Sequence, residues 1–197
     1  MFNYFWSNGS NGSASGSASG PGYANGSEAI TVSVAESVTA GALANSLCSE
    51  PGASSYFKGG IVAYSILSKK EILGIDIEYA EANNFANPFT TLEMAKSVVK
   101  MFNSRIGIAT TGYSLPRYRP ANAERKECEL NITHPYAYIT LYDRYTNHEI
   151  TIREDFKYNS KENDTIQRAM IQSKIALIAT AMYKKYIAKL ENKLEGK

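Results

Sequence analysis

The sequence predicts an α/β layered domain with a mixed sheet, preceded by a disordered N-terminal tail. Three observations carry this. Apolar strand-like runs alternate with helical periodicity over the first half of the domain. Two strongly alternating runs then follow as a hairpin, and one long helical pattern closes the chain. Before all of these, 19 of the 21 residues from 7 to 27 are Ser, Gly, Asn or Ala. Nothing in that stretch offsets the entropy of ordering, so residues 1–27 are expected to be a flexible tether and residues 28–197 the domain. The r.m.s. reach of residues 7–27 would be about 25 Å. The tip carries Phe2, Tyr4, Phe5 and Trp6. Two readings of that tip stand: a loose end with incidental aromatics, or a peptide that docks on an unknown protein partner.

The elements follow in order. Residues 29–35 (AITVSVA) form an apolar strand, and ESVTAGALANSLCS continues into a helix with Leu43, Ala44 and Leu47 at helical spacing. Residues 59–65 (GGIVAYS) are a second strand. In SKKEILG, Ser68 and Glu71 have capping-box spacing and Gly74 supplies a C-terminal stop. Thr90 and Glu93 repeat the capping spacing before LEMAKSVVKMF, whose apolar side is Leu92, Ala95, Val98, Val99 and Phe102. Residues 105–112 form a third strand, and a loop spans about 112–133. PYAYITLYD and HEITIREDF pair as antiparallel strands with the turn near Asn147, and the closing helix covers about 164–190.

Bulk composition narrows the function classes. Lys plus Arg number 21 against 19 acidic residues, a formal charge of +2. That balance carries no electrostatic footprint for nucleic acid or an anionic membrane. No apolar run reaches the length of a bilayer span. Two cysteines, Cys48 and Cys128, fit a reducing compartment better than a disulfide framework, so a cytoplasmic location is expected. With only His134 and His148, neither a metal centre nor the usual histidine-based triad is expected.

Five stretches, in this order, carry a resemblance: AESVTAG at 35–41, PGASSYFKGGIVAYSILSKKEILGI at 51–75, EMA at 93–95, ATTG at 109–112, and HPYAYI before the hairpin. Residues 29–190 resemble the CinA C-terminal domain, a family that includes the bacterial nicotinamide mononucleotide (NMN) deamidases. The resemblance implies a three-layer α/β/α sandwich that hydrolyses a carboxamide to a carboxylate and ammonia. It implies no cofactor or metal, a small-molecule nucleotide as ligand, and assembly as a homodimer or higher homo-oligomer. The family's proposed nucleophile matches Ser54, with Tyr64 and Lys69 beside it and Thr111 in the pocket. Glu36, Ser37, Thr39, Asn87, Thr111 and Gly112 are the substrate-binding candidates.

The chemistry of these residues is coherent by itself. A serine hydroxyl needs a neighbouring base, and without a suitable histidine a lysine is the available one. If Ser68 caps its helix, Lys69 sits in the first turn, where the macrodipole disfavours an ammonium. Ser55 is the rival nucleophile. The alternative reading makes the lysines solvated charges and the serines turn residues. Ser37 and Thr39 read equally well as ligand-facing loop residues or as helix caps, and Glu36 as orienting a pocket lysine or as solvated.

Departures from the family pattern surround these residues. Val38 and Ala40 stand where the family has cysteine and glycine, and Phe85-Ala86-Asn87 replaces its alanine-valine-serine. Its glycine-rich loop becomes TTGYSLPRYRP, and the arginine of its glycine-aspartate-arginine motif is missing near Glu162 and Asn163. Arg168, or Arg117 and Arg119, are the cations available instead; RYRP otherwise reads as a solvated connector. Two functions therefore compete: an amidohydrolase with an altered substrate, or an inactive domain reused for binding or scaffolding. In the second, Tyr113, Phe85 or Phe89 would fill the pocket. Tyr136, Tyr138, Tyr142 and Tyr145 of the hairpin read as packing first and as a dimer surface second.

Overall fold

The computed structural model describes residues 30–82, 84–120 and 129–195. The predicted tail and the aromatic tip lie outside these residues. A five-stranded sheet has the order β2-β1-β3-β6-β7. Its strands are β1 (Val32–Glu36), β2 (Phe57–Val62), β3 (Ile106–Tyr113), β6 (Tyr136–Asp143) and β7 (His148–Asp155). β1 runs parallel to β2 and β3, whereas β6 pairs antiparallel with β3 on one side and β7 on the other. The mixed sheet expected from the sequence is present.

Helices α1 (Ala42–Cys48) and α5 (Asp164–Glu195) share one core with the sheet, built on Leu43, Leu47, Ile108, Ile139, Ile175 and Tyr183. The opposite core packs Leu73, Ala80, Met94 and Val98 of α2 (Ile66–Leu73), α3 (Ile77–Ala82) and α4 (Pro88–Phe102) against Ala35, Ala63 and Ala109. Helices on both faces make the three α/β/α layers. β1 is fully buried along its length, as a strand covered on both faces must be. α4 lies close on β3 because position 107 is glycine: a Cβ there would run into the Ala95 carbonyl.

Several local expectations are corrected. α2 begins earlier than the Ser68 cap implies: Ser65 is the N-cap, and it and Ser68 form the reciprocal pair. α4 is capped by Asn87, whose side chain accepts from the Thr90 N–H at 2.8 Å, with Pro88 in the first turn. The expected loop at 112–133 contains a two-stranded antiparallel ribbon, β4 (Arg117–Arg119) with β5 (Leu130–Ile132). Buried Leu130 and Ile132 pack with Ala86 and Tyr136 beneath it. The turn at Asn147 is as expected and takes a φ of 50°. Of the hairpin tyrosines, Tyr136 is buried and Tyr145 exposed.

Candidate functional site

The order 2-1-3 reverses direction at β1, and the loops leaving β1 and β3 there open a crevice beyond their carboxyl ends. Open α/β sheets bind ligands at such points. Here the crevice is a cleft of about 580 Å³. The Ser37 N–H donates to the Thr110 carbonyl at 2.9 Å, which ties the loop after β1 to β3 at the cleft floor.

Lys69 is the site's central observation. It and Leu73, four residues apart, lie on the inward face of α2, and Lys69 is 4% exposed. Its Nζ donates to Ser37 Oγ at 2.9 Å, to the Ala63 carbonyl at 2.8 Å and to the Tyr64 carbonyl at 3.3 Å. Burial pushes its pKa down from 10.5 to about 8. Because Ser65 caps α2, Lys69 is the fourth helical residue, one turn deeper than expected. Desolvation therefore replaces the helix-start argument as the cause of its lowered pKa.

The amine can be satisfied in either protonation state. As an ammonium it donates to all three oxygens. As a neutral amine it keeps two N–H donors for the carbonyls and turns its lone pair to the Ser37 hydroxyl. That is the geometry of a general base on a serine nucleophile.

The loop that presents Ser37 is held at both ends. Glu36 is completely buried, and its carboxylate accepts from the N–H groups of Gly41 at 2.8 Å, Leu43 at 3.1 Å and Ala44 at 2.7 Å. Glu36 thus neither orients a lysine nor sits in solvent. It caps α1, whose N-cap residue Gly41 has no side chain for the task. Thr39 is no cap either: its hydroxyl shares a 2.6 Å hydrogen bond with that of Thr110. Ala40 and Gly41 take φ values of 51° and 102°, which turns the chain sharply between strand and helix.

The remaining predicted residues divide. Tyr64, Lys69, Ser37, Thr111 and Gly112 line the cleft. Tyr64 is 53% exposed, and its hydroxyl accepts from the Arg168 guanidinium. Asn87 is spent on capping α4 and is not among the lining residues. Ser54 is also outside the lining. It lies exposed in a 3-10 turn, Ala53–Ser55, ahead of β2, while Lys69 follows the other end of that strand. The strand between them spans about 20 Å. Within the chain, then, the expected convergence of Ser54 with Lys69 does not occur, and Ser37 occupies the place expected of it. Ser55 lies in the same turn, its hydroxyl donating to the Gly52 carbonyl at 2.8 Å.

Tyr113 and Phe85 form walls of the open cleft rather than filling it, and Phe89 packs on Tyr79 with ring centroids 4.4 Å apart. Arg117, Arg119 and Arg168 join Lys69 in the lining, which contains no aspartate or glutamate among the described residues. In the sequence Arg117 and Arg119 are marked by the RYR alternation between Pro116 and Pro120, whereas Arg168 has no local signal.

Comparisons with known proteins bear on the family and the fold. The family model for the CinA C-terminal domain matches residues 24–125. A CinA-like protein of Flavobacterium psychrophilum is 32% identical over 157 residues, covering 80% of this chain and 34% of that protein. A CinA-like protein of Fervidobacterium nodosum is 42% identical over 86 residues, 44% of this chain and 21% of that protein. The chain thus spans about a third or less of the length of these curated relatives. Among solved structures, the competence damage-inducible protein A of Klebsiella pneumoniae superposes with a TM-score of 0.64 at 19% identity, covering 81% of this chain and 87% of that one. A CinA superfamily protein of Enterobacter cloacae gives 0.60 at 21% identity, with 80% and 82% covered.

Proposed function

Because the chain belongs to the CinA C-terminal domain family, and because Lys69 meets Ser37 in its cleft, we propose that it is an amidohydrolase acting on the carboxamide of a small nucleotide such as NMN. The 2.9 Å contact between a buried, pKa-lowered amine and a serine hydroxyl is the observation that supports this reading. Ser37 Oγ attacks the carboxamide carbon as its proton passes to Lys69 Nζ. The tetrahedral intermediate collapses, Lys69 returns the proton to the leaving nitrogen, and ammonia departs. Water then hydrolyses the acyl-serine ester to the carboxylate. The Thr111 hydroxyl, in the same lining, is a donor for the oxyanion. Tyr64, held by Arg168, closes one side of the cleft over the substrate.

The test is ammonia release from NMN by purified protein. Turnover that saturates with NMN supports the reading. No release from NMN or from related carboxamide nucleotides overturns it in favour of the inactive binding domain.

Two further proposals accompany it. Among the described residues no helix is long and apolar enough to cross a membrane, and with the cysteine usage this supports action in the cytoplasm. The chain also self-associates, as a homodimer at least. Exposed Val62, Leu67, Ile166, Met170 and Leu177 supply apolar surface for this. Light scattering at high micromolar concentration is expected to give at least twice the 21.6 kDa chain mass. A monomer throughout would refute it.

A further inference from the structure

We infer that the β4–β5 ribbon is the anion subsite of the cleft, with Arg117 and Arg119 gripping the phosphate of a phosphomonoester-bearing amide. The inference rests on the amidohydrolase reading only for the amide end of the ligand. Two places in the fold are candidates for an anion. One is the start of α1, where backbone N–H groups converge. There the Gly41, Leu43 and Ala44 amides are already taken by the Glu36 carboxylate, whose negative charge repels a second anion. The other is the ribbon.

Arg117 and Arg119 are two residues apart on β4, so they project from one face about 6.6 Å apart. Both line the cleft. Flexible guanidinium arms at that spacing can close on one tetrahedral dianion with paired, charge-assisted hydrogen bonds. The ribbon is anchored for this: Arg117 and Arg119 pair in register with Ile132 and Leu130, which are buried against Ala86 and Tyr136. The described lining residues include four cations, Lys69, Arg117, Arg119 and Arg168, and no carboxylate. The cleft then has polarity: Ser37 and Lys69 at the amide end, and the two ribbon arginines at the phosphate end.

The subsite predicts discrimination by phosphate. Binding of NMN and of its dephosphorylated form, nicotinamide riboside, is measured by isothermal titration for wild type, Arg117→Gln/Arg119→Gln and the off-cleft control Arg144→Gln. Circular dichroism confirms that each variant is folded. Expected is at least tenfold weaker NMN binding in the double variant only, with riboside binding unchanged. Ammonia release should show the same pattern in KM and leave kcat alone. Equal losses for both ligands would overturn the inference, as would NMN affinity untouched by the double variant or no NMN binding by wild type. Loss in Arg168→Gln alone would move the phosphate to α5 and likewise overturn it. Binding without turnover would sink the amidase reading yet leave the subsite standing, so the two failures are separable.

Discussion

Ser37→Ala is expected to lower NMN turnover by on the order of 1000-fold or more, and Ser54→Ala to leave it unchanged. The contrast follows from where β1 and β2 put the two serines. Ser37 leaves the carboxyl end of β1 and touches Lys69 Nζ; Ser54 precedes β2 at the opposite end and lies outside the cleft. Lys69→Met matches the Ser37→Ala loss, and the double variant is no worse than either single one, because nucleophile and base act as a unit. Ammonia release measures all four proteins, and melting curves check that each folds. Mass spectrometry of quenched reactions should find any acyl adduct on the peptide containing Ser37. If Ser54→Ala is the inactive variant and Ser37→Ala is not, the assignment of the nucleophile is wrong.

The second large effect is on pH. In the proposed mechanism Lys69 would serve as base only when neutral, and burial holds its pKa at about 8. kcat/KM should therefore rise tenfold per unit below that value and level off above it. Stability shifts with pH for the same reason. An unfolded lysine keeps its proton up to about 10.5, so between about 8 and 10.5 the unfolded chain binds more protons than the folded one. Folding stability then rises with pH across that window, by on the order of 3 kcal/mol in all. Below about 8 the folded protein carries the full cost of a buried ammonium. Denaturant titrations from pH 7 to 10.5 measure the slope, and Lys69→Met should flatten it. A pH–rate profile that is flat through 8 would remove Lys69 from the role of base.

Much of the layered fold was legible in the sequence, because burial on two faces imposes patterns a reader can count. β1 reads as a short, mostly apolar strand and β6 with β7 as alternation, and each is a strand in the sheet. Helix starts were less legible. Ser65 and Ser68 both suit a cap, and only the packed α2 shows which one the chain uses. The ribbon was missed because three-residue strands are too short for a period to register.

The site divides along the same line. Sequence by itself determined the parts: an α/β domain of the CinA C-terminal family, a lysine near a strand end, no histidine suited to a triad, and serines on either side of one helix. Which serine meets the lysine was decided by tertiary structure alone. Ser54 is fifteen positions from Lys69 in the chain and Ser37 thirty-two, yet a strand separates the first pair and parallel pairing of β1 with β2 joins the second. Glu36 makes the same point. Its chemistry was plain from its type, but its partners are three amides five to eight residues onward, reached only because Ala40 and Gly41 turn the chain back over it. Contacts across strands depend on register and handedness, which no local pattern encodes; periodicity does encode which face of an element is buried.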